Sequence, residues 1–202
     1  MQYALRPAAA QKMLAPRAIG PGSTSLALAG TRFENVRARL LWDVAHVELD
    51  ALEAKLDRAA ITGKLAVNLR GARPAYKLTY RMKGWTWQSG KVDAEGTLET
   101  SGIGAQLLAN LNSEGLFTGA SLDFGPPAIF RAVSGNYSLA WAAQSPRWRF
   151  TALNLRTEDE TFTGRGATQD DGRLLILLTN GSREMRLIGS LAKPKLDESI
   201  RP

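Results

Sequence analysis

Apolar and polar side chains take turns along most of this chain with a period of two residues. Ile61, Gly63, Leu65, Val67 and Leu69 alternate with Thr62, Lys64, Asn68 and Arg70. Tyr76, Leu78, Tyr80 and Met82 alternate with Lys77, Thr79, Arg81 and Lys83. The same beat runs through Val36, Ala38, Leu40, Trp42 and Val44, through Val92, Ala94, Gly96 and Leu98, and through Val133, Gly135, Tyr137, Leu139 and Trp141. In an extended strand, successive side chains point to opposite faces, so each run has one apolar and one polar face. That pattern predicts an antiparallel sheet with one wetted side.

Turn-forming residues divide the runs: Arg70-Gly-Ala-Arg-Pro, Gln88-Ser-Gly, Gly125-Pro-Pro, Gln144-Ser-Pro, Asp170-Asp-Gly and Asn180-Gly. Asp171-Gly172 and Asn180-Gly181 suit tight hairpins, because both residue types tolerate positive φ. The connections are short, so neighbouring strands pair in sequence order as a meander, with about eleven strands expected. So many strands must curl, split or close. The expected fold is therefore mainly β: a curled antiparallel meander, either an open groove or a flattened sandwich. Gly-x-Leu recurs at 63–65, 96–98 and 189–191, and Phe-Thr-Gly at 117–119 and 162–164. The irregular spacing marks these as curvature devices rather than a solenoid period. The domain boundaries read as an irregular segment over 1–22, one β-domain over 23–192 and a polar tail over 193–202.

One stretch breaks the beat. Ile103, Leu107 and Leu111 stand four apart and Leu108 joins their side, which predicts a short amphipathic helix near 103–113. Ser101 is its candidate N-cap, and Asn112 or Gly115 its C-cap. A helix this short is unstable alone in water. It is therefore expected to lay its apolar stripe on the sheet as a lid, over one face or across one end.

The chemistry-bearing residues are sparse. There is no cysteine among the 202 residues, so disulfides, thiolate metal sites and a cysteine nucleophile are excluded. The lone histidine, His46, alternates with Glu48 and Asp50 and reads as part of a solvated strand face. Glu158-Asp-Glu160 reads as a hydrophilic hairpin tip. No nucleophile elbow, phosphate loop or dinucleotide fingerprint occurs. No catalytic residue, metal site or cofactor is assigned, and the expectation is a protein that is not an enzyme. No window is apolar for long enough to cross a membrane as a helix.

The formal net charge of +7 suits an anionic partner. The cations are spread along the polar beat and read mainly as solvated strand faces. Trp85 and Trp87 admit two readings. If Gly84 is a bulge, they rejoin the apolar face of Tyr80 and Met82; if not, they stand beside Arg81 and Lys83 as a stacking platform for single-stranded nucleic acid. Trp148, between Arg147 and Arg149, raises the same question.

The run Gly90–Gly102, then Leu107–Gly119 with its Gly115-Leu-Phe-Thr-Gly, resembles the C-terminal region of bacterial AsmA-like proteins. The ending is similar too: Phe162-Thr-Gly-Arg-Gly, Leu174-Leu-Ile-Leu-Leu, and Met185-Arg-Leu-Ile-Gly-Ser-Leu-Ala-Lys-Pro. The likeness spans roughly residues 23–195. It implies a segment of a Gram-negative envelope protein in the periplasm, continuing from an upstream part that holds an inner-membrane anchor. It implies a curled sheet, like that of the related TamB proteins, whose apolar side carries phospholipid acyl chains in outer-membrane biogenesis or lipid transport. Leu65, Val67, Leu69, Leu78, Tyr80, Met82, Leu98, Tyr137, Leu139 and Trp141 are then the candidate groove lining, with Ile103, Leu107, Leu108 and Leu111 as the lid. No nucleic-acid partner is expected on this reading. A basic nucleic-acid-binding β-domain and a purely structural envelope domain are the alternatives. Alternation alone does not separate a groove lining from a closed core.

Overall fold

The computed structural model describes residues 17–18, 26–28, 31–126, 129–142 and 145–198. They form a single antiparallel sheet of fourteen strands and one helical turn. The strands are β1 (Arg17–Ala18), β2 (Leu26–Leu28), β3 (Thr31–Asp43), β4 (His46–Leu56), β5 (Ala59–Asn68), β6 (Ala75–Trp87) and β7 (Gly90–Ser101). After the helix α1 (Gln106–Ala109) come β8 (Asn112–Asp123), β9 (Ile129–Ala142), β10 (Ser145–Arg156), β11 (Thr161–Thr168), β12 (Leu174–Thr179), β13 (Glu184–Ser190) and β14 (Lys193–Glu198). From β3 to β14 each strand pairs with the next, and β1 and β2 both pair with β3. The meander is as expected. The strand count exceeds eleven because short strands extend the sheet at both ends.

Two expected boundaries change. The supposed polar tail supplies β14, whose Leu196 pairs with Leu187 and whose Pro194 is buried. The alternation Pro194, Leu196 is only two apolar residues long, too brief to stand out beside four charges. Most of the segment read as irregular, 1–22, lies outside the described residues; within it, Arg17 and Ala18 pair with Leu40 and Arg39.

The sheet keeps one apolar face through its bulges. The beat slips at Ala51 in β4, Gly84 in β6, Ser121 in β8 and Ala152 in β10, all with positive φ. At each slip the inward residues stand three apart instead of two: Leu49 and Leu52, Met82 and Trp85, Gly119 and Leu122, Phe150 and Leu153. An extra residue in the strand returns the next apolar side chain to the same side and sharpens the local twist.

Twist then closes part of the molecule. Neighbouring strands turn by ~20–25°, so the path from β6 to β14 accumulates roughly half a turn. The last hairpin swings across the inner face. There Gln88 Nε2 donates to the Ala192 carbonyl at 3.0 Å, and Leu196 N donates to the Phe124 carbonyl at 3.2 Å. Among the described residues no ladder joins β14 to the first strands, so the sheet is curled but unclosed.

The core follows this geometry. Leu122, Phe130, Phe162, Leu178 and Met185 are the most deeply buried large side chains, all in β8 to β13. In β3 to β6, Ala59 alone among the described residues is a fully buried apolar residue; the inner face there is half-buried. The chain is thus an open trough at one end and a packed curl at the other.

The helix is much shorter than expected. α1 is four residues long and none of them is buried. Ser101 is still in β7, and Ala105 occupies the N-cap position with no side-chain bond. Gly102 and Gly104 hold positive φ, which stops the helix from starting before them. Asn112 is already paired with Glu99, so the ladder takes the residues beyond the turn.

Candidate functional site

The inner face is built from cross-strand rows in which glycine stands beside bulk. One row runs Gly63, Tyr80, Gly96, Gly115, Tyr137, Phe150. Tyr80 and Tyr137 lean towards each other over the glycine pair, and their hydroxyls meet. A Cβ on Gly96 would lie 2.4 Å from the Tyr137 hydroxyl, and one on Gly115 would lie 2.1 Å from the Glu95 carbonyl. Only glycine permits this close approach of backbone and ring. Burial, and then the hydrogen bond with Tyr80, push the Tyr137 phenol well above its ordinary value.

Beside this row the curl encloses an apolar cavity of about 220 Å³. Its wall combines Met82, Trp85, Val92 and Ala94 from β6 and β7 with Phe117, Val133, Phe150 and Leu153 from β8 to β10. Ile176 and Leu187 from the late strands, and Leu191 from the β13–β14 turn, close it. Aromatic contacts stiffen the wall: Trp85 stacks on Trp87 with ring centroids 6.4 Å apart, and Trp148 stacks on Phe150 at 6.3 Å. Among the described residues, the polar groups of the lining are the two tyrosine hydroxyls and the indole N–H of the tryptophans.

The candidate lining residues divide into three groups. Tyr80, Met82 and Tyr137 line the cavity. Leu65, Val67, Leu78, Leu98, Leu139 and Trp141 are half-buried on the same inner face, along the trough that leads from the cavity. Leu69 falls outside the group: it follows the end of β5, lies in the connection to β6, and is exposed. The lid residues do not come together over the cavity. Ile103 and Leu108 are exposed, Leu107 and Leu111 are half-buried, and none lines it. The helical turn is tied instead to the strand ends, through Thr100 Oγ1 to the Leu107 carbonyl at 2.5 Å and Asn110 Nδ2 to the Ser101 carbonyl at 3.0 Å.

Sequence reading missed most of the wall. Leu153, Leu155, Leu174, Ile176 and Leu187 come from strands far along the chain. The available signal was the three-residue step at each bulge and the run Leu174–Leu178, apolar on both faces.

The tryptophans face inward. Gly84 is the bulge, with φ 72° and its N–H donated to Asp93 Oδ1 at 2.7 Å, so Trp85 and Trp87 rejoin Tyr80 and Met82. Trp148 pairs with Leu139 on the inner face. The cations occupy the outer face with carboxylate partners across the strands: Lys64 with Glu48 at 2.7 Å, Lys77 with Glu99 at 2.8 Å, Arg81 with Glu95 at 2.8 Å. The Glu48 and Glu99 carboxylates raise the pKa of Lys64 and Lys77, and Arg39 lowers that of Asp50. A wider depression of about 810 Å³ lies on this outer face, among Thr62, Thr79, Thr97, Glu114 and Asn136. It is broad and open, and its Arg81 and Glu95 are already paired with each other. His46 lies 3.8 Å from Glu48, and no cluster of metal-ligating side chains occurs among the described residues. Glu158 pairs with Arg131 at 2.5 Å and Glu160 with Arg183 at 2.6 Å, as at a hydrophilic hairpin tip. Against this geometry, no protein-family model, curated protein or solved structure matches the chain.

Proposed function

We propose that the inner face receives a single apolar chain, the acyl tail of a lipid, and shields it from water without chemistry. The observation that carries this reading is the cavity of about 220 Å³ with its apolar wall, continuous with the half-buried trough of β3 to β6. Its size sets the ligand. Pockets for drug-sized ligands run from roughly 300 to 1,000 Å³, so this one takes part of one chain and no head group. The remainder of the chain lies along Leu65, Leu78 and Leu98, with the polar end in solvent. With the AsmA-like resemblance, the proposed ligand is a phospholipid, the proposed setting the periplasmic face of a Gram-negative envelope, and the proposed role a non-enzymatic segment in lipid transport or outer-membrane biogenesis.

Two rivals make different forecasts. The inward tryptophans remove the stacking platform on which nucleic-acid binding rested, so gel shifts at low salt should show no retardation. A purely structural domain gains support from the packed core of β8 to β13. Uptake of a fluorescent fatty acid by the purified protein, with native mass spectrometry for co-purified phospholipid, separates it from the lipid reading. Ala94→Leu places three extra carbons in the cavity and should abolish uptake while keeping the melting temperature. Absence of uptake by the unmodified protein, with no bound lipid, leaves the inner face as a core and ends the proposal.

A further inference from the structure

The large apolar side chains that the sheet leaves in water are concentrated at one rim. Trp42 is 62% exposed, Val44 76% and Ile103 68%; Leu69 and Leu108 are exposed as well. Trp42 is the penultimate residue of β3, beside the β3–β4 turn that holds Val44; Leu69 lies in the β5–β6 connection, and Ile103 and Leu108 in the β7–β8 connection, all on the same side of the sheet. Backbone bonds hold these connections side by side. Leu69 N donates to the Ala45 carbonyl at 2.8 Å, and Gly102 N donates to the Pro74 carbonyl at 2.8 Å. The next strand joins through Trp141 N to the Leu111 carbonyl at 3.1 Å. Single exposed apolar residues are ordinary on a protein surface, but several on adjoining loop tips mark a binding edge.

The chemistry of the rim selects the partner. Tryptophan at a strand end with aliphatic residues on the adjoining connections, and arginine among them, is the composition of a protein edge seated in a membrane interface. Arg70 and Arg73 lie in the middle connection, exposed and without an ion-pair partner among the described residues. Asp43, the acid at the first turn, accepts the Ala45 N–H at 3.1 Å. A second copy of a chain carrying +7 brings like charge to the same rim and is the poorer occupant. We infer that this rim is a docking surface for an anionic lipid bilayer, into which Trp42, Val44, Leu69, Ile103 and Leu108 insert while Arg70 and Arg73 meet the head groups. Trp42 pairs with Val47, and Val47 with Val67, on the inner face, so the trough reaches the same rim.

Flotation of the full chain with vesicles tests this. Binding is expected with phosphatidylglycerol–phosphatidylcholine vesicles, weaker with phosphatidylcholine alone, and weakened by salt. Trp42→Ser/Val44→Asp/Ile103→Asp should lower the affinity on the order of tenfold or more, since apolar area and charge both set interfacial binding. Arg70→Glu/Arg73→Glu should remove the preference for anionic vesicles. Leu116→Asp/Ile129→Asp, exposed away from this rim, should bind as the parent does. No flotation of the parent, an equal loss in that control, or a rim variant that only converts a dimer to a monomer in sedimentation velocity overturns the inference. The surface stands independently of the acyl-chain reading: Ala94→Leu, which obstructs the cavity, keeps its vesicle binding.

Discussion

The sharpest constraint on single residues lies where Tyr80 and Tyr137 meet over Gly96 and Gly115. Gly115→Ala forces its Cβ against the Glu95 carbonyl and the Gly96 Cα, both backbone atoms that a rotamer change does not move. The expected loss is about 1–3 kcal/mol, read from chemical denaturation. Tyr137→Phe removes the hydroxyl shared with Tyr80 and leaves that partner half-satisfied, at a cost of about 1–2 kcal/mol. Its pH dependence follows from burial, which keeps the Tyr137 proton on well above the ordinary phenol value. An unfolded chain releases that proton near pH ~10. Above that pH the native state holds more protons than the unfolded one, so stability falls as pH rises. The fall should be shallower in Tyr137→Phe, and thermal melts between about pH 9 and 12 measure it. Gly96 stood out in the sequence as part of a Gly-x-Leu echo. The tyrosine pair did not, because its two members are 57 residues apart in the chain.

Among the elements, alternation predicted the strands well because period two is a local property of consecutive side chains. It assigned the inner face correctly to β5, β6, β7 and β9, and the Asp171-Gly172 and Asn180-Gly181 hairpins hold positive φ at their glycines as expected. It failed where pairing competes with local preference. The four-residue spacing of Ile103, Leu107 and Leu111 is helical, yet positive φ at Gly102 and Gly104 and the β7–β8 ladder leave room for one turn only. Ile103→Asp and Leu108→Gln should therefore change stability by no more than about 0.5 kcal/mol, as surface substitutions do. A true lid would lose far more. Gly84 has the opposite standing. Deleting it removes the bulge and shifts Trp85 and Trp87 by one position, which turns them to the outer face. The deletion variant should show red-shifted tryptophan emission and loss of the cooperative melt.

At the scale of the molecule, one sheet serves two mechanical roles. Its last strands fold over themselves and pack a core, while its first strands keep a half-buried face. The difference follows from twist and residue size together. From β8 onward, phenylalanine, tryptophan and branched aliphatic side chains fill the space that the curl encloses; before β6 the inner face of the described residues is only half-buried. Local stability should divide in the same way. Native-state hydrogen exchange should find the slowest amides in β9 to β13 and faster ones in β3 to β5, since opening free energy tracks buried apolar contact. Truncations should agree. Leu178→Ala removes a side chain with no solvent exposure and should cost about 2–5 kcal/mol. Leu65→Ala removes a half-buried one and should cost well under that, because water already reaches part of the group and no sealed void is left behind. If Leu65→Ala proves as damaging as Leu178→Ala, the early strands are closed in solution and the trough is a core. If it is mild and also weakens fatty-acid uptake, the first strands are the part of the sheet kept open for a ligand.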